Sequence, residues 1–164
     1  MRNLILLVAF FGFFVGKVSG QTLEETQNWI AEKINLYAYV NDGSVENEYI
    51  VVFDEYKAGY MTIKGEVVVF YSDGSKTSIS DAWHVPIKKI GGVVFEKKKH
   101  NVWLYLKLKN GEKAIIYEGY SVEKMNSTEI LLMNSVQEDN MQERLKKAFK
   151  NLITFYGGNS KEPY

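Results

Sequence analysis

The segment SVQEDNMQERLKKAFKNLITFYG, residues 135–157, has the clearest helical pattern in the chain. Its apolar residues recur at helical spacing and form a wide stripe. They are Met141, Leu145, Ala148, Phe149, Leu152 and Tyr156. Ser135 and Glu138 fit a capping box, and Gly157 is a typical helix stop. The pattern predicts a helix over residues 136–156, whose stripe requires a large apolar surface to cover it.

Residues 48–133 have the character of strand and turn throughout. Turn residues recur at intervals of roughly ten residues, which is typical of an antiparallel sheet and predicts about seven strands. Asp73-Gly74 and Asn110-Gly111 fit two-residue hairpin turns, because Asn, Asp and Gly tolerate positive φ. This sheet is the only predicted surface large enough to cover the C-terminal helix.

An amphipathic helix is predicted to precede the sheet. Thr22 and Glu25 have the spacing of a capping box, and apolar residues recur at helical spacing over residues 23–39. The sequence therefore predicts an α+β fold, an antiparallel sheet or half-barrel of about seven strands with an N-terminal helix and a long C-terminal capping helix. A cystatin-like α+β fold, in which the N-terminal helix lies across a curved sheet, is the alternative.

The first twenty residues differ in composition from the rest and predict a secretory signal. Arg2 is followed by the apolar run LILLVAFFGFFV, residues 4–15, and small residues surround a cleavage site after Gly20. As a helix this run is about 18 Å long, short of a hydrocarbon core of about 30 Å, although an uncleaved anchor is the competing interpretation. We therefore expect an exported protein with one globular domain over residues 21–158 and a flexible tail, residues 159–164.

Charge and cysteine content exclude several classes of protein. The chain has no cysteine, so a disulfide framework, thiol catalysis and a lipidated cysteine anchor are excluded. Twenty basic residues balance twenty acidic ones, and without Arg2 and Lys17 the mature chain is slightly acidic. Because small eukaryotic secreted domains usually contain disulfides, a bacterial protein, periplasmic or secreted and not membrane-spanning after signal cleavage, is the favoured interpretation.

The Asn110-Gly111 turn predicts a hairpin between residues 102–108 and 115–117. In that register one face is apolar and belongs to the core. Its members are Leu104, Leu106, Leu108, Ile115 and Tyr117. The opposite face carries Trp103, Tyr105 and Ile116, an unusual cluster for a solvated surface. Either a helix covers this face, or it is an exposed patch that binds a ligand or a partner.

Residues 88–113 form the basic part of the chain, with eight lysines, two glutamates and no arginine. Lys97, Lys98 and Lys99 belong to a predicted turn beside the aromatic face, where lysines also protect sheets against aggregation. These lysines and the three residues of the aromatic face form the predicted ligand or partner face. Its occupant would be an unknown protein, a glycan or a small anionic ligand. Nucleic acid is not expected for an exported protein whose basic stretch lacks arginine.

The order of elements resembles a known fold family. A run of antiparallel strands followed by one long C-terminal helix is similar to the pleckstrin-homology-like domain. The segments VPIKKI, residues 85–90, and RLKKAFKNLI, residues 144–153, are similar to small exported bacterial proteins with that architecture. The resemblance implies a barrel or half-barrel and a role in binding. The loop that matches the family's lipid-binding loop, DEYKAG at residues 54–59, is net acidic, so lipid binding is not implied.

The sequence contains no motif for catalysis, a cofactor or a metal. His84 and His100 are the only histidines, and there is neither a nucleophile elbow nor a phosphate-binding glycine loop. No catalytic, cofactor-binding or metal-binding residue is therefore assigned, and a non-enzymatic binding or interaction domain is predicted. The alternative is a small hydrolase or isomerase of cystatin-like fold, which requires His84 or His100 beside a carboxylate in a polar cavity.

Overall fold

The computed structural model describes residues 21–38, 40–41, 45–98, 101–119 and 121–158. The predicted signal, residues 1–20, lies outside them, as do Lys99, His100 and the predicted tail, residues 159–164. The two α-helices are α1 (Leu23–Ala38) and α2 (Met141–Phe155). The strands between them are β1 (Val40–Asn41), β2 (Val45–Phe53), β3 (Tyr60–Phe70), β4 (Lys76–Pro86), β5 (Ile90–Lys98), β6 (Asn101–Leu108), β7 (Ile115–Glu118), β8 (Val122–Met125) and β9 (Ile130–Leu132).

The strands form two antiparallel sheets. The six-stranded sheet has the order β1-β2-β3-β4-β7-β8, and the three-stranded sheet has the order β5-β6-β9. This confirms the predicted α+β fold with a helix at each end of a strand-rich segment. The strands exceed the predicted number because β1 and β9 have only two and three residues. The half-barrel and the likeness to pleckstrin-homology-like domains stay predictions.

One hydrophobic core joins both helices to both sheets. α1 packs against β2, β9 and α2, and α2 also contacts β5. The stripe of α2 is buried as its spacing predicts, with Tyr156 partly exposed at its end. Each fully buried Leu, Ile or Phe contributes about 1.5–3 kcal/mol to stability, so the burial of these helix side chains in the core holds both helices in place without a disulfide.

The start of α1 agrees with the sequence pattern. The backbone N–H of Thr22 donates to the Glu25 carboxylate at 2.8 Å, and the backbone N–H of Glu25 donates to the Thr22 hydroxyl at 3.1 Å. This is the reciprocal arrangement of a capping box, so the predicted cap is confirmed.

The start of α2 differs from the sequence pattern. Asn134–Asn140 forms a 3-10 turn with an extended residue at Glu138 and positive φ at Asp139 and Asn140, and the α-helix begins at Met141. The predicted capping box of Ser135 and Glu138 and a helix starting at residue 136 are therefore wrong. The buried side chain of Val136 holds this turn against the core, and Asp and Asn tolerate the left-handed conformation that the bend requires.

The predicted hairpin at Asn110-Gly111 is also wrong. Both residues have positive φ, as a tight turn requires, but β6 and β7 belong to different sheets. β6 pairs with β5 along one edge and with β9 along the other, and residues 126–128 continue that second edge. Because both edges of β6 are taken, the chain crosses after the turn and β7 pairs with β4 and β8 instead.

The turn around Asp73-Gly74 joins β3 to β4 as predicted, but it is longer than two residues. Phe70 pairs with Lys76, and the N–H of Tyr71 donates to the carbonyl of Ser75. The Asp73 carboxylate accepts bonds from the backbone N–H and the hydroxyl of Ser75, at 2.9 and 2.6 Å. These bonds lower the pKa of Asp73, and they stabilise a five-residue turn in which Gly74 has φ 83°.

Candidate functional site

The outer face of the six-stranded sheet contains a groove with a volume of about 690 Å³. β2, β3, β4 and β7 contribute its floor, and the loop after β2 contributes one wall. Its outward side chains lie in cross-strand rows that follow from the strand register. One row joins Ile50, Lys64, Ala82 and Glu118, and a second joins Glu48, Glu66 and Ser80. We call this surface the outer groove.

His84 on β4 lies at the end of the outer groove and is 7% exposed. Its Nδ1 shares a hydrogen bond with the hydroxyl of Thr62 at 3.0 Å. Its Nε2 lies 3.4 Å from the Glu118 carboxylate but has no hydrogen-bond partner among the described residues. Tyr56 stacks on the imidazole, with ring centroids 4.0 Å apart and planes 20° apart. The ring is therefore enclosed on one face and at both nitrogens.

The loop that carries Tyr56 is anchored to both helices through Asp54. The Asp54 carboxylate accepts bonds from the backbone N–H of Gly59 at 2.6 Å and from the hydroxyl of Tyr156 at 2.8 Å. The Tyr156 hydroxyl in turn accepts a bond from the Gln27 amide of α1 at 2.8 Å. Because Asp54 has φ 58° and Gly59 has φ 82°, the loop makes a sharp, fixed bend that places Tyr56 over His84.

The outer groove has an acidic lining. Its side chains include the four glutamates Glu48, Glu55, Glu66 and Glu118 and a single lysine, Lys64. Lys64 is engaged by Glu55 in an ion pair of 2.6 Å. Three carboxylates are therefore left without a lysine or arginine partner among the described residues.

Asp81 lies in the same sheet with its side chain on the opposite face, which it shares with Trp83 by strand alternation. Burial raises the pKa of Asp81 to about 6, while a hydrogen bond from Tyr117 acts in the opposite direction. Burial, with the nearby Asp81 carboxylate, raises the pKa of Tyr49 to about 12. A polar cluster of Asp81, Tyr49 and Tyr117 therefore lies beneath the outer groove.

The predicted ligand or partner face is only partly assembled. Trp103 and Tyr105 share one face of β6, and Lys98 reaches over both rings. The Lys98 ammonium donates to the Tyr105 hydroxyl at 3.0 Å, and this bond raises the pKa of Lys98. The same ammonium lies 4.9 Å from the centre of the Trp103 ring. Tyr105 is only 9% exposed, so lysine side chains cover the aromatic pair.

Ile116 does not belong to that face, and its assignment there is wrong. It lies on β7 of the other sheet, where it pairs with His84 and Lys124. Lys97 is exposed and pairs with Val102, and Lys99 lies outside the described residues. The predicted hairpin between residues 93–95 and 102–108 is confirmed, but the placement of Lys97 and Lys98 in its turn is wrong, because both belong to β5 and Lys98 pairs with Asn101.

Sequence reasoning missed most of the outer groove. The sequence predicts His84 only as one of two histidines for a site with a carboxylate, and the hairpin predicted for residues 115–117 assigns the strand before Glu118 to the wrong sheet. The polar residues that alternate along β3 and β4 are a signal for an outward polar face. No local signal places Tyr56 over His84, because that contact depends on a loop closed by the distant Tyr156.

Comparison with known proteins gives no match among family models, curated proteins or solved structures. Within the part of the chain that the structure describes, no helix is long and apolar enough to cross a membrane. The same residues contain no group of three or more side chains arranged as metal ligands. Function is therefore argued from the geometry of the outer groove.

Proposed function

We propose that the protein is an exported, non-enzymatic binding domain that holds its ligand in the outer groove. The observation that carries this proposal is a groove of about 690 Å³ whose floor spans four paired strands and whose wall loop is hydrogen-bonded to Tyr156 at the end of α2, which is in turn bonded to Gln27 of α1. A groove built on paired strands keeps its shape without a ligand, which reduces the entropic cost of binding.

The rim of the outer groove supports binding because it exposes apolar surface. Ile50 and Tyr56 are 48% and 44% exposed, although both are large hydrophobic side chains. Such residues beside a polar floor provide contact area for a ligand, while the floor supplies orientation. By contrast, the rings of Trp103 and Tyr105 are already covered by Lys98, so they offer less free surface.

A second candidate is a hydrolase or isomerase that uses His84 and Glu118, whose closest atoms are 3.4 Å apart. A general base must present its nitrogen to the substrate proton. Here Nδ1 is bonded to Thr62, and Nε2 is buried behind Glu118. In the free protein neither nitrogen is therefore placed to take a proton from a substrate, and binding is the better-supported function.

The proposal is tested by NMR titration of the ¹⁵N-labelled protein with a panel of sugars, amino acids, amines and short peptides. We expect at least one compound to shift the resonances of residues around Ile50, Ala82 and Glu118. Ala82→Phe, which fills the floor, should abolish these shifts, whereas Thr77→Phe, an exposed position farther along the same strand, should preserve them. A panel that shifts no resonance of the outer groove overturns the proposal.

The enzymatic candidate is tested on the same protein with chromogenic esters and glycosides. Turnover that is lost in Glu118→Gln but retained in Glu123→Gln would replace the binding proposal with the enzymatic one. Export is tested by intact mass and N-terminal sequencing of the protein recovered outside the cytoplasm. We expect a chain that begins at Gln21. Retention of residues 1–20 would overturn signal cleavage, and absence of the protein outside the cytoplasm would overturn the export proposal.

A further inference from the structure

We infer that the outer groove takes a cationic ligand carrying alkylammonium groups, the chemistry of a polyamine or of lysine side chains in an extended peptide. This inference rests on the proposed function, since it names the ligand class of the same groove. Three features of the groove carry it: an unrelieved pair of like charges, an unpartnered buried imidazole nitrogen, and an apolar rim suited to a methylene chain.

The first feature is the pairing of Glu48 with Glu66. These residues are direct cross-strand partners on β2 and β3, with both side chains on the outer face. Like charges directly opposite each other destabilise a sheet, and neither carboxylate has a lysine or arginine partner among the described residues. Glu66 accepts a hydrogen bond from the Ser78 hydroxyl at 2.7 Å, and Glu48 has no ion-pair partner among the described residues. A bound ammonium between the two carboxylates would turn the repulsion into attraction.

The second feature is the pair of His84 and Glu118 at the other end of the groove. His84 is more than nine-tenths buried, and its Nε2 faces the Glu118 carboxylate without a hydrogen-bond partner in the described part of the chain. The inference requires the tautomer whose Nδ1–H donates to the Thr62 hydroxyl, in which Nε2 is an acceptor beside the Glu118 carboxylate. Glu118 is half exposed, so its rotation opens this position to an ammonium, whose three N–H donors can serve both groups.

The spacing of the two acidic positions favours a ligand with more than one charge. Glu66 and Glu118 are separated by two strand spacings and one two-residue step along the strands. With a strand spacing of about 4.8 Å and a rise of about 3.4 Å per residue, the backbones of these two residues are about 12 Å apart. Ala82 of β4 lies between the two acidic positions in the register, and the exposed Ile50 and Tyr56 flank the groove and provide apolar contact for the methylene groups of the ligand. The Tyr56 ring can also face a cation.

The experiment measures affinity for spermidine and for a short lysine-containing peptide, by NMR and calorimetry, with triacetylated spermidine and glutamate as neutral and anionic probes. We expect binding of the cations that weakens as salt is raised and that falls at least tenfold in the Glu48→Gln, Glu66→Gln double variant. The matched control is Glu123→Gln, an exposed glutamate on β8 outside the groove, which should bind like the wild type.

The outcomes separate this inference from the proposed function and identify the source of the cation. Tighter binding of spermidine than of the peptide indicates a free polyamine, and the reverse indicates a basic peptide segment. If only neutral or anionic compounds shift groove resonances, the cation inference fails while the binding proposal stands. Equal affinity of the wild type and the double variant for spermidine and for the peptide also overturns the inference. If no compound shifts a resonance of the outer groove, both the cation inference and the binding proposal fail.

Discussion

The carboxylate of Asp81 lies directly over the backbone of Gly65, its cross-strand partner. A Cβ at position 65 would stand 2.3 Å from the Asp81 Oδ1 and 3.0 Å from the Tyr49 ring. Only glycine leaves room for both side chains at this point. The polar cluster beneath the outer groove therefore depends on a residue that contributes no side chain of its own.

Gly65→Ala is expected to destabilise the protein by about 1–3 kcal/mol, because overpacking forces Asp81 and Tyr49 away from their positions. The matched control is Gly92→Ala on β5, where the nearest atom to a new Cβ is 4.0 Å away. Urea unfolding of both variants measures the difference. Equal midpoints for the two variants would contradict the close approach at Gly65.

Asp81 also predicts a pH dependence of stability. Its pKa is raised from 3.8 to about 6 in the folded protein, so between these values the folded state binds more protons than the unfolded state. The free energy of unfolding should therefore fall as pH rises from about 4 to 6 through this group. Asp81→Asn should remove that part of the slope and be more stable than the wild type at pH 7, by about 1 kcal/mol after allowance for solvent screening.

The control for this prediction is Asp73→Asn in the turn between β3 and β4. The hydrogen bonds from Ser75 lower the pKa of Asp73, so its contribution to stability has the opposite sign and is lost as pH falls through the folded pKa. Urea unfolding of both variants at pH values from about 3.5 to 7.5 measures how the free energy of unfolding changes with pH. This range includes both the unfolded and the folded pKa of Asp81. Identical pH slopes for wild type and Asp81→Asn would show that Asp81 titrates normally.

Local sequence patterns predicted those elements whose geometry is decided by near neighbours. The capping box of Thr22 and Glu25, the stripe of α2 and the pairing of β5 with β6 near Lys98 and Asn101 all depend on residues a few positions apart. The predictions that are wrong concern strand partners that lie far apart along the chain, which a local signal does not determine. Positive φ at Asn110 and Gly111 was correctly anticipated, but it does not determine which strand edge is free.

The candidate site is not apparent from the sequence because the predicted hairpin pairs β7 with β6. If β7 pairs with β6, then Glu118 is far from β4, and no carboxylate is brought to His84. In the structure β7 pairs with β4, and Ala82 stands opposite Glu118 with His84 opposite Ile116. The acidic residues of the outer groove come from three strands and the loop after β2, so their proximity follows from the sheet order and not from their spacing along the chain.

Lys98 is expected to stabilise the aromatic pair that it covers. Lys98→Ala removes the hydrogen bond to Tyr105 and the contact with the Trp103 ring, so it should lower the unfolding midpoint and increase acrylamide quenching of tryptophan fluorescence. Lys97→Ala is the matched control, since Lys97 is exposed on the neighbouring position of the same strand. Similar quenching in both variants would argue against the contact.

The hydroxyl of Tyr156 is expected to hold the loop that carries Tyr56. Tyr156→Phe removes the bonds to Asp54 and Gln27, which should cost about 1–2 kcal/mol and loosen the wall of the outer groove. Diethyl pyrocarbonate should then modify His84 faster than in the wild type, as followed by peptide mass spectrometry. Tyr71→Phe, in the exposed turn after β3, is the control, and an unchanged rate in Tyr156→Phe would show that the loop is held by other contacts.

Glu48→Gln is expected to stabilise the protein without a ligand, which is unusual for a change at a well-ordered strand. The substitution removes one charge of the like-charged pair with Glu66, and cross-strand pairs of this kind are worth about 0.2–1 kcal/mol. Thermal unfolding at low salt should show the gain, and 1 M salt should reduce it, because the Debye length falls to about 3 Å. Glu123→Gln should show no such salt-dependent gain. If Glu48→Gln is less stable than the wild type at low salt, the carboxylates are not repelling each other, and the electrostatic reason for a cationic ligand is removed.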